Sequence, residues 1–387
     1  MGRSARRRVA RRLTPALAAI VVLAAATTAG AASATVPTQS PAGGGGTAFA
    51  AALADLPATM LSADGAVLYY TDRALGWERL GVGRDTAERL DAIGRTFEVA
   101  TYSQPPVLFA PDLDLDRSRE EIGFTTLDIE REASVLAPPR RVVVADTTVT
   151  PDAVRTALTT DPVWSAELTE VDGADGAFYS WGGDDTEVHV DRRSPLRPLG
   201  QSGHLAVGGT DQATVVQTLT ADDMQAALAA ADGSTPSVLD TGPFAAAATM
   251  LDDAGATVLQ AIGVPGTTLF MPPLDASADT IEQLLASLPQ LVPYASILVV
   301  EVVDPDGNPR TEIEVTHSDD ASAAANAEAM AAWLANGTDS VSGRPLSELL
   351  PGATVEAVGP VSRVVVDGPG HYPTATDMLL NRALFPV

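Results

Sequence analysis

The chain has 387 residues and no cysteine. No disulfide can brace its loops, and no thiolate can hold a metal or carry a lipid anchor. The fold must therefore be held by buried apolar surface alone. A single core rarely serves more than about 250–300 residues, so two lobes are expected.

The N-terminal segment decides where this chain folds. Arg3, Arg6, Arg7, Arg8, Arg11 and Arg12 precede an uncharged run, residues 16–32, whose most apolar part is Leu17, Ile20, Val21, Val22 and Leu23. Ala32-Ser33-Ala34 follows, with small residues at the two positions a signal peptidase reads. Residues 1–34 read as a signal peptide, and the remainder as secreted or extracytoplasmic, in the cell envelope. A retained N-terminal anchor is the rival reading, because the run is near the shortest length that spans a bilayer. No other segment reads as a membrane span: residues 296–303 are apolar but short, and Glu301 lies among them. Residues 35–47 are rich in Pro, Gly and Ser and read as a flexible linker.

All 24 basic residues are arginine. Without lysine there is no Walker A phosphate loop, no Schiff base and no Ser–Lys dyad. Removing the leader's arginines takes the formal charge from −26 to −32. That charge repels nucleic acid and anionic lipid, so neither is an expected partner.

Apolar periodicity and capping residues predict the elements. Thr150-Pro151, Thr220 and Asp319 each read as the start of a helix with an apolar stripe. Asp85 and Ser277 read as two further starts, and Thr374 with Asp377 as a capping box for a C-terminal helix. Strands are predicted at residues 67–70, 141–145, 297–303 and 311–317, around Val188 and Val190, and on both sides of Gly359-Pro360. The class is α+β, with two lobes over residues 48–235 and 236–387. Each is expected to be a mainly antiparallel sheet with helices packed on it. Residues 131–181 and 296–367 share the order strand, strand, helix, strand, strand, which would suit a β-β-α-β-β unit used twice.

One local set could carry chemistry. Glu187, His189 and Asp191 alternate along the predicted strand and would share a face. Two carboxylates and an imidazole so placed could bind a divalent cation or act as acid and base. The plain alternative is the wet side of an edge strand with Val188 and Val190 inward. Other motifs fall short. Residues 112–116 mimic the opening of a calcium loop, but Arg117 stands where the turn needs glycine. Asp116 reads instead as the cap of a short helix. Asp240-Thr241-Gly242 is a single triplet where aspartic-protease chemistry needs two carboxylates, and it reads as a helix cap. Ser202 and His204 are spaced wrongly for a nucleophile elbow. His317 reads as a half-buried strand-end residue and His371 as part of a turn.

No cofactor and no metal site is read from these residues. The sequence points to a non-enzymatic protein that binds a small molecule or an envelope component between its lobes. An extracytoplasmic hydrolase with a site assembled in space, and a structural or accessory envelope protein, are the two alternatives.

Overall fold

The computed structural model describes residues 47–385 apart from 64, 86–87, 92–114, 163, 183–188, 195–199, 202, 267–288, 290, 340–341 and 381–384. The expected signal peptide, nearly all of the linker, the helix start at Ser277 and most of the helix from Asp85 lie outside the described residues.

The protein is α+β. Twelve strands are described: β1 Val67–Asp72, β2 Ile129–Ala137, β3 Arg140–Thr147, β4 Thr169–Gly173, β5 Gly176–Trp181, β6 Gly203–Gly208, β7 Thr214–Thr218, β8 Thr257–Pro265, β9 Ser296–Val303, β10 Pro309–Thr316, β11 Thr354–Val358 and β12 Val361–Asp367. They lie in one sheet in the order β11-β12-β10-β9-β8-β1-β2-β3-β7-β6-β5-β4. Every pairing is antiparallel. Strands from both expected lobes thus share a single sheet, joined where Tyr69 of β1 faces Ile262 of β8. The two stretches of like element order pair differently. β12 lies against β10, whereas β7 and β6 separate β5 from β3.

Side chains alternate across this sheet, so each strand feeds two layers. On the first face Leu68, Tyr70, Val135, Val142, Val144, Val216, Leu298 and Val300 join one continuous core. Helices α1 (Ala48–Ala54), α5 (Ala221–Ala231), α6 (Val238–Thr241) and α7 (Ala245–Asp253) contribute to it through Phe49, Leu53, Met224, Leu228, Val238 and Leu251. Each such fully buried leucine or phenylalanine contributes about 1.5–3 kcal/mol. Asp252 of α7 accepts from the backbone N–H of Thr47 at 2.7 Å, which ties down the start of α1.

The second face carries two separate cores. Ile297, Val299, Ile313, Val315, Val364 and Val366 pack with helices α8 (Asp320–Asn336) and α9 (Tyr372–Leu380). Val143, Ala145, Leu205, Val207 and Val215 pack with helices α3 (Leu115–Ile122) and α4 (Pro151–Thr160). Between these cores the strands carry polar residues instead: Thr71, Glu132, Ser134, Gln260 and Glu301, all buried. Helix α2 (Arg73–Arg79) follows β1 beside this seam.

Helix starts follow their caps at Thr150, Thr220 and Asp319, whose side chains accept from backbone N–H groups three residues on. Three expectations are corrected. The strand expected around Val190 is a single 3-10 turn at Val190–Arg192, and Val190 is 69% exposed rather than inward. Asp191-Arg192-Arg193 offers nothing to bury, so the alternation that would sustain a strand stops there. The last helix begins at Tyr372, so Thr374 lies inside it and is no cap. Asp116 lies in the first turn of α3 instead of capping it. Among the described residues no helix is long and apolar enough to cross a membrane.

Candidate functional site

The chain meets itself on the first face at the point where the two expected lobes join. α1 closes at Asp55, and Pro57 leads into a 3-10 turn, Ala58–Ser62. This segment runs antiparallel to the residues leading into α6. Ala58 N–H donates to Pro236 O at 3.1 Å and Val238 N–H to Leu56 O at 2.8 Å.

Helix α6 is held by a capping box. Ser237 Oγ accepts from Asp240 N–H at 3.2 Å, and Asp240 Oδ2 accepts from Ser237 N–H at 2.9 Å. These hydrogen bonds keep the Asp240 carboxyl below its ordinary range. The Asp-Thr-Gly triplet is thereby explained as a short helix and its end. At Gly242 an added Cβ would lie 2.2 Å from Val238 O, so only glycine lets the chain leave α6 this tightly toward Pro243.

The result is a cavity of about 370 Å³. It is lined by Pro57, Ala58, Thr59, Leu61 and Ser62, by Ala226 of α5, and by Thr235, Pro236, Thr241, Gly242 and Pro243. The lining is apolar carbon with hydroxyls and peptide groups, and it includes no titratable side chain. The rigid prolines set its shape. Such a lining can hold a neutral ligand by apolar contact and hydrogen bonds, but it supplies no acid, base or nucleophile of adjusted pKa.

The sequence-predicted residues lie elsewhere. Glu187 falls outside the described residues. His189 directly precedes the 3-10 turn and Asp191 is exposed within it, so these two do not sit on a strand face. Among the described residues no group of three or more His, Asp or Glu side chains is placed to hold a metal ion. His204 is wholly buried in β6, edge-on to Phe178 at 5.4 Å, and Ser202 is outside the described residues.

His317 is more deeply placed than the half-buried strand end its sequence implies, at 4% exposure. Its Nε2 lies 2.8 Å from Ser362 Oγ, and its Nδ1 lies 3.5 Å from Asn326 Nδ2. The order Ser–His–Asn resembles a catalytic chain, but the protons are spent. Ser362 Oγ donates to Ala323 O at 2.7 Å, and Asn326 Nδ2 donates to Val292 O at 2.8 Å. Ser362 is fully buried, with no face open to a substrate.

A second buried group lies on β10. Glu312 and Glu314 are both fully buried and face Arg363 of β12. Arg363 Nη2 and Nε donate to Glu312 at 2.6 and 2.7 Å, and Arg310 also donates to it. Burial pushes Glu312 up, but the Arg363 hydrogen bonds outweigh it and leave the carboxyl below its ordinary range. Burial and the adjacent Glu312 push Glu314 well above it. Glu314 is thus the carboxyl of the pair that favours its proton, which makes the pair a structural device with a pH response.

No protein-family model, curated protein or solved structure matches this chain. The groove was not legible in the sequence, because residues 57–62 and 235–243 are brought together only by the fold. The prolines at 57, 236 and 243 were the available signal.

Proposed function

We propose that the protein is an exported, non-enzymatic binding protein of the cell envelope. Its ligand is a small neutral molecule with an apolar body and a few hydrogen-bonding groups, held in the groove between Ala58, Ala226 and Thr241. The leader of residues 1–34 delivers it, and the strong negative charge keeps it dispersed and away from anionic surfaces.

The groove supports this reading most directly. A volume of about 370 Å³ lies within the range of small-molecule sites, and Thr59, Ser62, Thr235 and Thr241 give it direction without charge. The spent protons of His317 and Ser362 favour binding over hydrolysis.

N-phenyl-1-naphthylamine, neutral and fluorescent in apolar surroundings, is the probe. Its emission should rise saturably with the purified protein. Ala58→Trp and Ala226→Trp, which fill the groove from two separate segments of its lining, should each weaken binding at least tenfold. Absent enhancement, or enhancement untouched by both substitutions, refutes the proposal.

A further inference from the structure

The polar seam on the second face holds cations whose donors have no acceptor. Arg73, at the start of α2, is 5% exposed, and its Nε and Nη1 have no hydrogen-bond partner. Arg141 of β3 donates through Nη2 to Gln217 Oε1 at 2.9 Å, but its Nε has no partner. Ser134 Oγ and Trp77 Nε1 are buried and without partners as well.

Strand register brings these groups to one place. Glu132 and Ser134 are alternate residues of β2 on the second face, and Ser134 stands opposite Val143, two residues along β3 from Arg141. The charge of Glu132 acts on both Arg73 and Arg141. The Arg73 guanidinium lies 5.8 Å over the ring of Trp77, and Arg89 lies 5.4 Å from the same ring. Arg89 is bound to the carbonyls of Gly83 and Leu127 and lies 4.0 Å from Glu130, so its charge is answered separately. Among the described residues, Glu132 is the carboxylate whose charge acts on both Arg73 and Arg141.

Leaving a buried donor unmatched is costly, and leaving a charged one unmatched more so. The orphan groups named at this seam can all donate, in a protein with an excess of 26 carboxylates over arginines. We infer that the seam is an anion site, in which an oxyanion accepts from the Arg73 guanidinium, from Arg141 Nε and from Ser134 Oγ. The ligand class is a small carboxylate or a tetrahedral oxyanion of the phosphate type. A buried guanidinium with N–H groups still free suits either. The site lies on the opposite face from the groove and does not depend on it.

Thermal melts of the purified protein at fixed ionic strength test this, with chloride replaced stepwise by phosphate, sulfate or acetate. At least one of these anions should raise the melting temperature saturably, by about 3 °C or more once it greatly exceeds its Kd. Phosphate acting without acetate assigns the tetrahedral class, and acetate without phosphate the carboxylate. Arg141→Gln and Arg73→Gln should abolish the rise. Ser134→Ala, which removes one hydroxyl and little else, should move the midpoint about tenfold to higher anion. It decides the matter should the arginine variants not fold. A flat response to all three anions, or a midpoint unmoved by Ser134→Ala, overturns the inference.

Discussion

Ser362 Oγ receives the Nε2 proton of His317 at 2.8 Å and passes its own proton to Ala323 O at 2.7 Å. This direction is forced: the hydroxyl has one proton, and the carbonyl can only accept. His317 is therefore the neutral Nε2–H tautomer, with Nδ1 facing the Asn326 amide. Burial holds its pKa below the ordinary 6.5. The chain ties β10, β12 and α8 together.

Removing the hydroxyl by Ser362→Ala should therefore cost stability, about 1–3 kcal/mol in urea unfolding, because a buried N–H loses its acceptor. The same serine should stay unmodified by a fluorophosphonate, as read by intact-protein mass spectrometry. With a lowered folded pKa, the neutral-histidine contribution is present above pH 6.5 and is lost as pH falls through the lowered value. Rapid fluorophosphonate labelling at Ser362 would show the hydroxyl to be a free nucleophile.

Glu314 makes the opposite prediction. Its carboxyl is raised in the fold by burial and by Glu312, so the folded state holds a proton that the unfolded chain releases. Stability contributed by this proton is present below the ordinary value of 4.5 and declines as pH rises above it. Glu314→Gln mimics the protonated form, and its melting temperature should exceed that of the parent at pH 8, with the gap narrowing toward pH 4. Glu312→Gln should instead destabilise by about 3–5 kcal/mol, because Arg363 loses its buried carboxylate. Equal pH profiles for the parent and Glu314→Gln would show Glu314 to be an ordinary surface-like acid.

Asp55, the residue ending α1, gives a third pH response. Burial, with the charge of Asp146 added and Arg131 opposing, pushes its carboxyl from 3.8 to about 7. The folded state binds the extra proton between those values, so stability falls as pH climbs from about 4 to about 7. Asp55→Asn should remove that slope, and melts at pH 5 and pH 8 should differ less in the variant. An unchanged slope would place the response on another group.

Gly263 of β8 is required by contact rather than by backbone angle. A Cβ there would lie 2.6 Å from the ring of Phe244 and 3.0 Å from Leu298 Cδ1. Phe244 is fully buried at the start of α7 and has nowhere to withdraw. Gly263→Ala should cost about 1–3 kcal/mol by overpacking, measured by denaturant unfolding. A variant of parental stability would mean that the core under α7 yields.

Local order was legible in the sequence, because its causes are local. Thr150, Thr220 and Asp319 cap the helices they were expected to cap, and residues 297–303 and 311–317 form the expected hairpin within a residue or two. Long-range pairing was not legible. That β1 lies between β8 and β2, or that β7 takes the place beside β3, depends on contacts between residues far apart in the chain, such as Val67 with Leu136 and Val142 with Thr218. Val190 misled, because its alternation with polar neighbours imitates a strand that the following charges do not continue. Glu132 and Ser134 carried a signal in being polar within an apolar strand. That the charge of Glu132 acts on Arg141 and Arg73 is set by the fold and has no local signal.

The central claim is that the groove between residues 57–62 and 235–243 is where a neutral ligand binds. Amide chemical-shift mapping with N-phenyl-1-naphthylamine tests it most directly. Saturable shifts concentrated at Ala58, Leu61, Ala226, Thr235 and Thr241 are expected, with the amides of His317 and Ser362 unmoved. Shifts centred on His317 and Ser362, or no saturable shift at all, would contradict it.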